Sequence, residues 1–346
     1  MWLVKFRSQA QRHVAMISEL RSVTVAVSNL DRAVEFFSSA LTYELKGRGA
    51  FSDQDEDLAA AWQLPSGLSG EFAVMGPPGF DRSIIRLVGF NRTGRAIWGE
   101  HDHFHDTGPM ALNFQVSSLD QTLVGLAAAG ARERTVRQQW PVFDGVSADE
   151  TQWIDPDGLV IDVFELSGSK YADHFEPLET PASGIHTVVM HCNDADGVKA
   201  FYQGLGFAVL YDQVLKDVEW LTGLPEGSEL RNVNLQKPEL SPLGRVELTA
   251  HEGYPGADKR SVAVPPNVGI LALSFETDDL DQTSDLVVSL GGISISEGAT
   301  LTMPPWGNIK VRTFFGLNGE VLELFQRDDE RLGFDVGNSI SDLHNL

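Results

Sequence analysis

The chain has 346 residues, 42% of them hydrophobic, and a formal net charge of -23, so it is long enough to form two globular domains. The acidic charge argues against nucleic acid or an anionic membrane surface as a partner, because both require cationic contacts. The single cysteine, Cys192, excludes a disulfide framework and a thiolate zinc cluster and favours a reducing compartment such as the cytoplasm.

Similar units follow one another along the chain. The first unit predicts a strand over Val23–Val27 and a helix over Leu30–Leu41, in which Phe36-Phe37 lie on the apolar face. The third unit predicts a strand over Thr187–Cys192 and a helix that carries Phe201-Tyr202 at the matching place. The sequence therefore predicts a strand–helix unit that is repeated.

The second and fourth units match each other in the same way. Asp120 corresponds to Asp281 near the start of a predicted helix, and Asp162 corresponds to Glu323 in the closing strand, both 161 residues apart. Equal offsets at separated landmarks indicate an internal duplication.

We predict two domains on this basis. An N-terminal extension covers residues 1–19, and a tail covers residues 329–346. The first domain covers residues 20–168, with modules at about 20–92 and 109–168. The Gly- and Pro-containing segment 169–183 is the predicted linker. The second domain covers residues 184–328, with modules at about 184–253 and 268–328.

The repeated motifs resemble those of the vicinal oxygen chelate superfamily, which includes glyoxalase I, extradiol dioxygenases, methylmalonyl-CoA epimerase and bleomycin or fosfomycin resistance proteins. The resemblance rests on LDRAVEFF at Leu30–Phe37, LGF at Leu205–Phe207 and DPDG at Asp155–Gly158, and extends over about residues 20–328. It implies an α+β fold of two glyoxalase-like domains, each formed by two paired βαβββ modules that make a cupped mixed sheet.

The resemblance also implies metal ligands on the first and last strand of a module, usually His and Glu, which suit zinc, iron, manganese or nickel. The four positions that correspond to histidine hold Ser22, Ala111, Thr187 and Ala272. The four closing-strand positions hold Arg86, Asp162, Glu247 and Glu323. We therefore expect no metal in the first domain.

The second domain is where we predict activity. Glu247 and Glu323 are expected to face each other across one cup, with His191 beside them, as the catalytic residues. Alternatively, Glu247 and Glu323 are ligands of one divalent metal (Fe, Zn, Mn or Ni). His186 is then the third ligand, if a one-residue shift turns its side chain inward. A hydrogen-bonded core histidine is the alternative for His191, and a strand-end side chain outside the cup is the alternative for His186.

Four further side chains are predicted to bind the substrate: Thr187, His251, Trp306 and Tyr202. Trp306 follows Pro304-Pro305 in a segment that resembles a lid-like loop, with a packed connection as the alternative. The three alternate histidines between His101 and Asp106 are a weaker metal candidate in a polar loop.

Three functions remain open at this stage. The first is a lyase, isomerase or dioxygenase-like enzyme that acts on a small oxygenated, partly apolar organic molecule in the second domain. The second is a metal-free protein that binds or sequesters a small molecule, and the third is a non-catalytic interaction protein. The first two predict a small-molecule substrate or ligand. We expect a cytoplasmic protein with no nucleic acid and no membrane as partner, and a homodimer is possible.

Overall fold

The computed structural model describes residues 17–98, 105–174, 177–219, 224–238 and 240–328. Most of the predicted N-terminal extension, the whole C-terminal tail and His101 and His103 lie outside these ranges.

Each of the four predicted modules begins with a strand and a helix. The first contains β1 (Ile17–Val27), α1 (Leu30–Ala40), β2 (Glu44–Phe51), α2 (Glu56–Trp62), β3 (Gly70–Gly76) and β4 (Ile84–Phe90). The second contains β5 (Gly108–Gln115), α3 (Leu119–Ala128), β6 (Arg132–Glu133), β7 (Gln138–Phe143), β8 (Val146–Ile154) and β9 (Val160–Ser167), followed by α4 (Tyr171–His174). The third contains β10 (Thr187–His191), α5 (Ala195–Gly204), β11 (Ala208–Leu215), β12 (Leu230–Gln236) and β13 (Arg245–His251). The fourth contains β14 (Gly269–Thr277), α6 (Leu280–Ser289), β15 (Ile293–Ser294), β16 (Ala299–Met303), β17 (Gly307–Phe315) and β18 (Val321–Arg327).

The modules form two nine-stranded sheets, which confirms the predicted fold class. The first sheet has the order β15-β17-β18-β14-β1-β4-β3-β2, with β16 on β17, and therefore joins the first and fourth modules. The second sheet has the order β11-β12-β13-β10-β5-β9-β8-β6, with β7 on β8, and joins the second and third modules. Within each sheet the opening strands of the two modules are antiparallel neighbours, as Thr24 opposite Ala272 and Val189 opposite Ala111 show.

The prediction that neighbouring modules pair, with a division between two cups near residues 169–183, is wrong. Segment 169–183 connects two parts of the same sheet, and its end runs beside β5, where the Ser183 amide donates to the Gln115 carbonyl at 2.8 Å. Connections 91–107 and 252–268 instead pass from one sheet to the other, and they touch through a bridge between Ala96 and Val268. Repeated strands look alike in sequence, so the pattern does not show which two of them become neighbours.

The helices begin as the sequence suggests. The Asn29 side chain accepts from the Arg32 amide at the start of α1, as expected of an N-cap asparagine. Ala33, Phe36, Phe37 and Ala40 then bury one face of the helix at spacings of three and four residues.

One hydrophobic core lies between the two sheets and takes side chains from all four modules, among them Val23, Leu112, Val188 and Leu273. Because side chains alternate along a strand, the residues between these core positions face the opposite, concave side of each sheet. We call the concave face of the first sheet the first cup and that of the second sheet the second cup.

Candidate active sites in the two cups

A buried ion pair forms the floor of the first cup. Nη2 of Arg86 lies 2.8 Å from both carboxylate oxygens of Glu323, and these side chains are 1% and 0% exposed. Ser274 Oγ donates to Oε1 at 2.9 Å, and Trp62 Nε1 donates to Oε2 at 3.1 Å. Four hydrogen bonds fill the acceptor positions of one carboxylate, so this arrangement does not favour the general-base role predicted for Glu323.

A cavity of about 550 Å³, a volume that includes its opening toward solvent, lies above this floor. Its polar lining residues are Thr24, Gln63, Thr313 and Glu323, and the rest of the lining is mostly apolar: Ala61, Trp62, Val88, Phe90, Ala263, Val264, Pro265, Leu271, Ala272, Ile295, Phe315 and Val321. The first cup is therefore an apolar cavity over a charge-compensated floor.

The second cup instead carries three carboxyl groups. Asp162 and Glu247 lie on its concave face, because their strand neighbours enter the core between the sheets. Glu150 lies on the same face, because it alternates in phase with Ile154 on β8, which joins the cluster around Ala111 and Val189. Among the described residues none of the three forms an ion pair within 4 Å. Glu247 is held by the amides of Asn232 and Asn234, at 3.0 and 3.3 Å from its two oxygens.

Burial dominates the electrostatics of these carboxyl groups. It raises the pKa of Glu247 to about 7, with a smaller contribution from the charge of Asp162, and outweighs the opposing effect of Arg245. Burial likewise raises the pKa of Asp162 to about 6 and that of Glu150 well above its usual value. The neighbouring charge of Asp162 raises the pKa of Glu150 further. The second cup therefore holds carboxyl groups that can exchange protons near neutral pH.

An apolar patch adjoins the carboxyl groups of the second cup. Ala111 and Val189 are opposite each other in the register of β5 and β10, and Glu247 neighbours Val189 in β13. Met110, Ile154 and Val160 join Ala111 and Val189 in one cluster, with Trp98 packed against it. This cup can therefore contact both an apolar and a polar part of a small molecule.

The structure brings together four of the predicted site residues. Thr187, His191, Glu247 and His251 lie on the second cup's face of β10 and β13. His191 stacks on His251 with 5.1 Å between ring centroids, and its Nδ1 lies 3.0 Å from Thr249 Oγ1. Burial lowers the pKa of His191 to about 3, so this imidazole is neutral at physiological pH.

His186 lies just before β10 and is held by protein contacts. Its Nδ1 is 2.9 Å from Thr187 Oγ1, and its ring meets Phe164 edge to face at 4.9 Å. Burial moves its pKa well below the usual value, so this histidine is also uncharged.

The remaining predicted residues lie elsewhere. The prediction that Glu323 shares a cup with Glu247 is wrong, because β18 and β13 belong to different sheets. Trp306, also on the first sheet, stacks on Phe325 at 4.4 Å and donates from Nε1 to the carbonyl of Asp81 at 2.9 Å; it is absent from the cavity lining.

Tyr202 is buried in the core between the sheets, where its hydroxyl donates to Glu320 Oε1 at 2.9 Å. It therefore lies outside both cups.

The residues present do not fit the metal site implied by the resemblance. Glu247, Glu323 and His186 cannot ligate one ion, because the two glutamates lie in different sheets. In the first cup the guanidinium of Arg86 occupies the space beside the carboxylate. Throughout the part of the chain that the structure describes, no three His, Cys, Asp or Glu side chains come together as a metal-binding group.

Sequence reasoning missed the partnership of Arg86 with Glu323 and the contribution of Trp62. A signal was present, because Arg86 is the one cation among the four closing-strand positions and complements any of the three acids there. Its charge could have favoured pairing of the first module with another module that ends in a carboxylate.

Comparison with known proteins supports the fold. No protein-family model matches the chain, and no curated protein matches it significantly by sequence. Among solved structures, glyoxalase I from Zea mays matches with a TM-score of 0.60 and 16% identity, over 90% of this chain and 93% of the other. A putative dioxygenase from Bacillus subtilis matches with a TM-score of 0.57 and 12% identity, over 91% of this chain and 86% of the other. The chain thus has a glyoxalase-like fold, with four modules in two cupped sheets. No described helix has the length and apolar character needed to span a bilayer.

Proposed function

We propose that the chain is an enzyme of the vicinal oxygen chelate type that acts on a small, partly apolar, oxygen-bearing organic molecule in the second cup. Glu247 is the general base, and the reaction does not depend on a His–carboxylate metal set. The observation that carries this proposal is the half-buried carboxyl group of Glu247 on the concave face, held by two amides and, among the described residues, without an ion pair. The names of the two structural neighbours, a glyoxalase I and a putative dioxygenase, support an enzymatic function.

The chemistry follows from the state of Glu247. A carboxyl group with a pKa of about 7 is partly deprotonated at neutral pH and binds a proton more strongly than an ordinary glutamate, which suits a general base. Such a base can remove a proton from carbon next to a carbonyl group and return it, as an isomerase or lyase requires. The amides of Asn232 and Asn234 fix the direction of the carboxylate.

Neighbouring groups support the same reaction. Glu150 and Asp162 are neighbours whose pKa values are both raised, so they can hold a second proton near the substrate. The apolar patch around Ala111 and Val189 excludes water from part of the cup and accounts for a partly apolar substrate. Location in the cytoplasm and assembly as a homodimer stay predictions.

The test measures proton abstraction directly. Small ketones, hydroxyketones and hydroxy acids are incubated with the protein in D₂O. NMR follows the exchange of the hydrogen on the carbon next to the carbonyl or carboxyl group. We expect exchange with at least one compound, and a fall of about 10²–10⁴-fold in Glu247→Gln, the range that a general base contributes. Exchange should survive treatment with EDTA.

Glu252→Gln is the matched control, because Glu252 is an exposed glutamate just beyond β13. It should exchange at the wild-type rate. Wild-type exchange in Glu247→Gln, or exchange that EDTA abolishes and a divalent metal restores, would contradict the proposal.

A further inference from the structure

We infer that the first cup is a second binding site, distinct from the proposed catalytic cup, for an uncharged and mostly apolar molecule with one hydrogen-bond acceptor. The inference does not depend on the proposed enzymatic function. It starts from the residues at the positions where the resemblance implies metal ligands. In the first cup these positions hold the Arg86–Glu323 ion pair.

The first step concerns charge. Glu323 lines the cavity, but its carboxylate is matched by Arg86 at 2.8 Å, and both side chains are almost completely buried. The two charges therefore compensate each other, and Arg86 is not among the residues that line the cavity. A charged ligand would lose its hydration without gaining a counter-ion, which is unfavourable in an apolar cavity, so the site selects an uncharged molecule.

The second step concerns hydrogen bonds. Thr24 Oγ1 accepts from Arg86 Nε at 2.9 Å and from Arg86 Nη2 at 2.6 Å. Two accepted bonds use both lone pairs of a hydroxyl group, so the hydroxyl hydrogen of Thr24 is left to donate, and Thr24 lines the cavity. Thr313 differs, because its hydroxyl lies 3.0 Å from the Ala61 carbonyl and 3.1 Å from Ser296 Oγ, both possible acceptors.

The third step concerns shape. Ala263, Val264 and Pro265 from connection 252–268 help to enclose the cavity. This connection is tied in place, because the Gly94 amide donates to the Pro266 carbonyl at 2.9 Å and Asn267 Nδ2 donates to the Val262 carbonyl at 3.0 Å. Gln63, which also lines the cavity and has an amide to offer, is exposed to solvent. Thr24, which is buried, therefore sets the polar specificity of an otherwise apolar, preformed site.

The test uses three bicyclic probes of similar size. They are 2-acetylnaphthalene, which is neutral with one carbonyl acceptor, naphthalene, which has none, and 2-naphthoate, which is an anion. Binding to the full chain is measured by isothermal titration calorimetry. We expect one 2-acetylnaphthalene per chain, about five- to tenfold weaker binding of naphthalene, as one hydrogen bond contributes, and still weaker binding of 2-naphthoate.

Two matched variants locate the probe. Ala272 and Ala111 hold equivalent places in the two cups, so Ala272→Leu should weaken binding of 2-acetylnaphthalene at least tenfold and Ala111→Leu less than twofold.

Thr24→Val should abolish the preference for 2-acetylnaphthalene over naphthalene. Because this variant also removes an acceptor from Arg86, only the ratio of the two affinities is compared, together with the circular dichroism spectrum.

Three results would overturn the inference. They are equal affinity for the anion and the ketone, a loss of binding in Ala111→Leu but not in Ala272→Leu, and no binding of either neutral probe to the wild-type chain.

Discussion

The two cups are built from the same kind of module, yet their electrostatics are opposite. In the first cup, Arg86 of one module meets Glu323 of the other in a buried ion pair. In the second cup the equivalent strands supply Asp162 and Glu247, two acids whose pKa values are raised by burial. The closing-strand position that holds Arg86 in the first cup holds Asp162 in the second. This difference in charge separates a cup with a buried ion pair from a cup with carboxyl groups that exchange protons.

The largest expected effect breaks the ion pair of the first cup. Arg86→Met should destabilise the fold by about 3–5 kcal/mol, because it leaves the Glu323 carboxylate buried without its partner. The double variant Arg86→Met/Glu323→Met should recover most of this loss, since two apolar side chains replace two charges. Urea unfolding measures both. A single variant as stable as the wild type would show that the pair does not hold the first cup together.

A slightly smaller effect concerns the pH dependence of stability in the second cup. The pKa of Glu247 is raised from 4.5 to about 7 in the folded state. Its stabilising contribution is therefore complete below about pH 4.5 and is lost as the pH rises through 7, up to about 3 kcal/mol. Glu247→Gln should have a flatter stability profile between pH 5 and 8 than the wild type.

The profiles of the wild type and Glu247→Gln are compared because Glu320 and Asp155 also have raised pKa values, of about 7, and contribute equally to both profiles. Glu150 adds to the difference between the profiles, because the charge of Glu247 contributes to its raised pKa. Parallel profiles for the wild type and Glu247→Gln would show that the environment of Glu247 is not as described.

A third prediction concerns Tyr202, outside both cups. Tyr202→Phe removes the hydroxyl that donates to the buried Glu320 and should cost about 1–2 kcal/mol of stability, the penalty of a lost hydrogen bond to a buried group. Proton exchange in the second cup and probe binding in the first should be unchanged. A selective loss of either activity in a stable variant would place Tyr202 in a site after all.

A comparable effect concerns Trp306. Trp306→Phe keeps an aromatic ring against Phe325 but loses the hydrogen bond to the Asp81 carbonyl and part of a buried ring system, which together should cost about 1–2 kcal/mol. Thermal unfolding measures this change. A tenfold loss of probe binding would instead support the lid-like role that the sequence suggested.

The sequence was sufficient for local structure and insufficient for the way the modules combine. Helix α1, its apolar face at Phe36-Phe37 and strand β10 depend on neighbouring residues, and all three are readable from the pattern. Sheet pairing depends on which two opening strands meet, and β1, β5, β10 and β14 offer similar surfaces. For this reason the inward direction of Glu247 and Glu323 was predictable, whereas their placement in separate cups was not.

The crossed pairing of modules has a consequence during synthesis on the ribosome. The second cup is nested inside the first, so its strands are all available once β13 has emerged. The first cup cannot form until the fourth module has been synthesised, because Arg86 and Glu323 are 237 positions apart. Contacts between such distant positions also form slowly. Until β14 arrives, β1 has an unpaired edge that another nascent chain can occupy. Exchange of the fourth module between two chains is therefore the misassembly that this topology makes accessible.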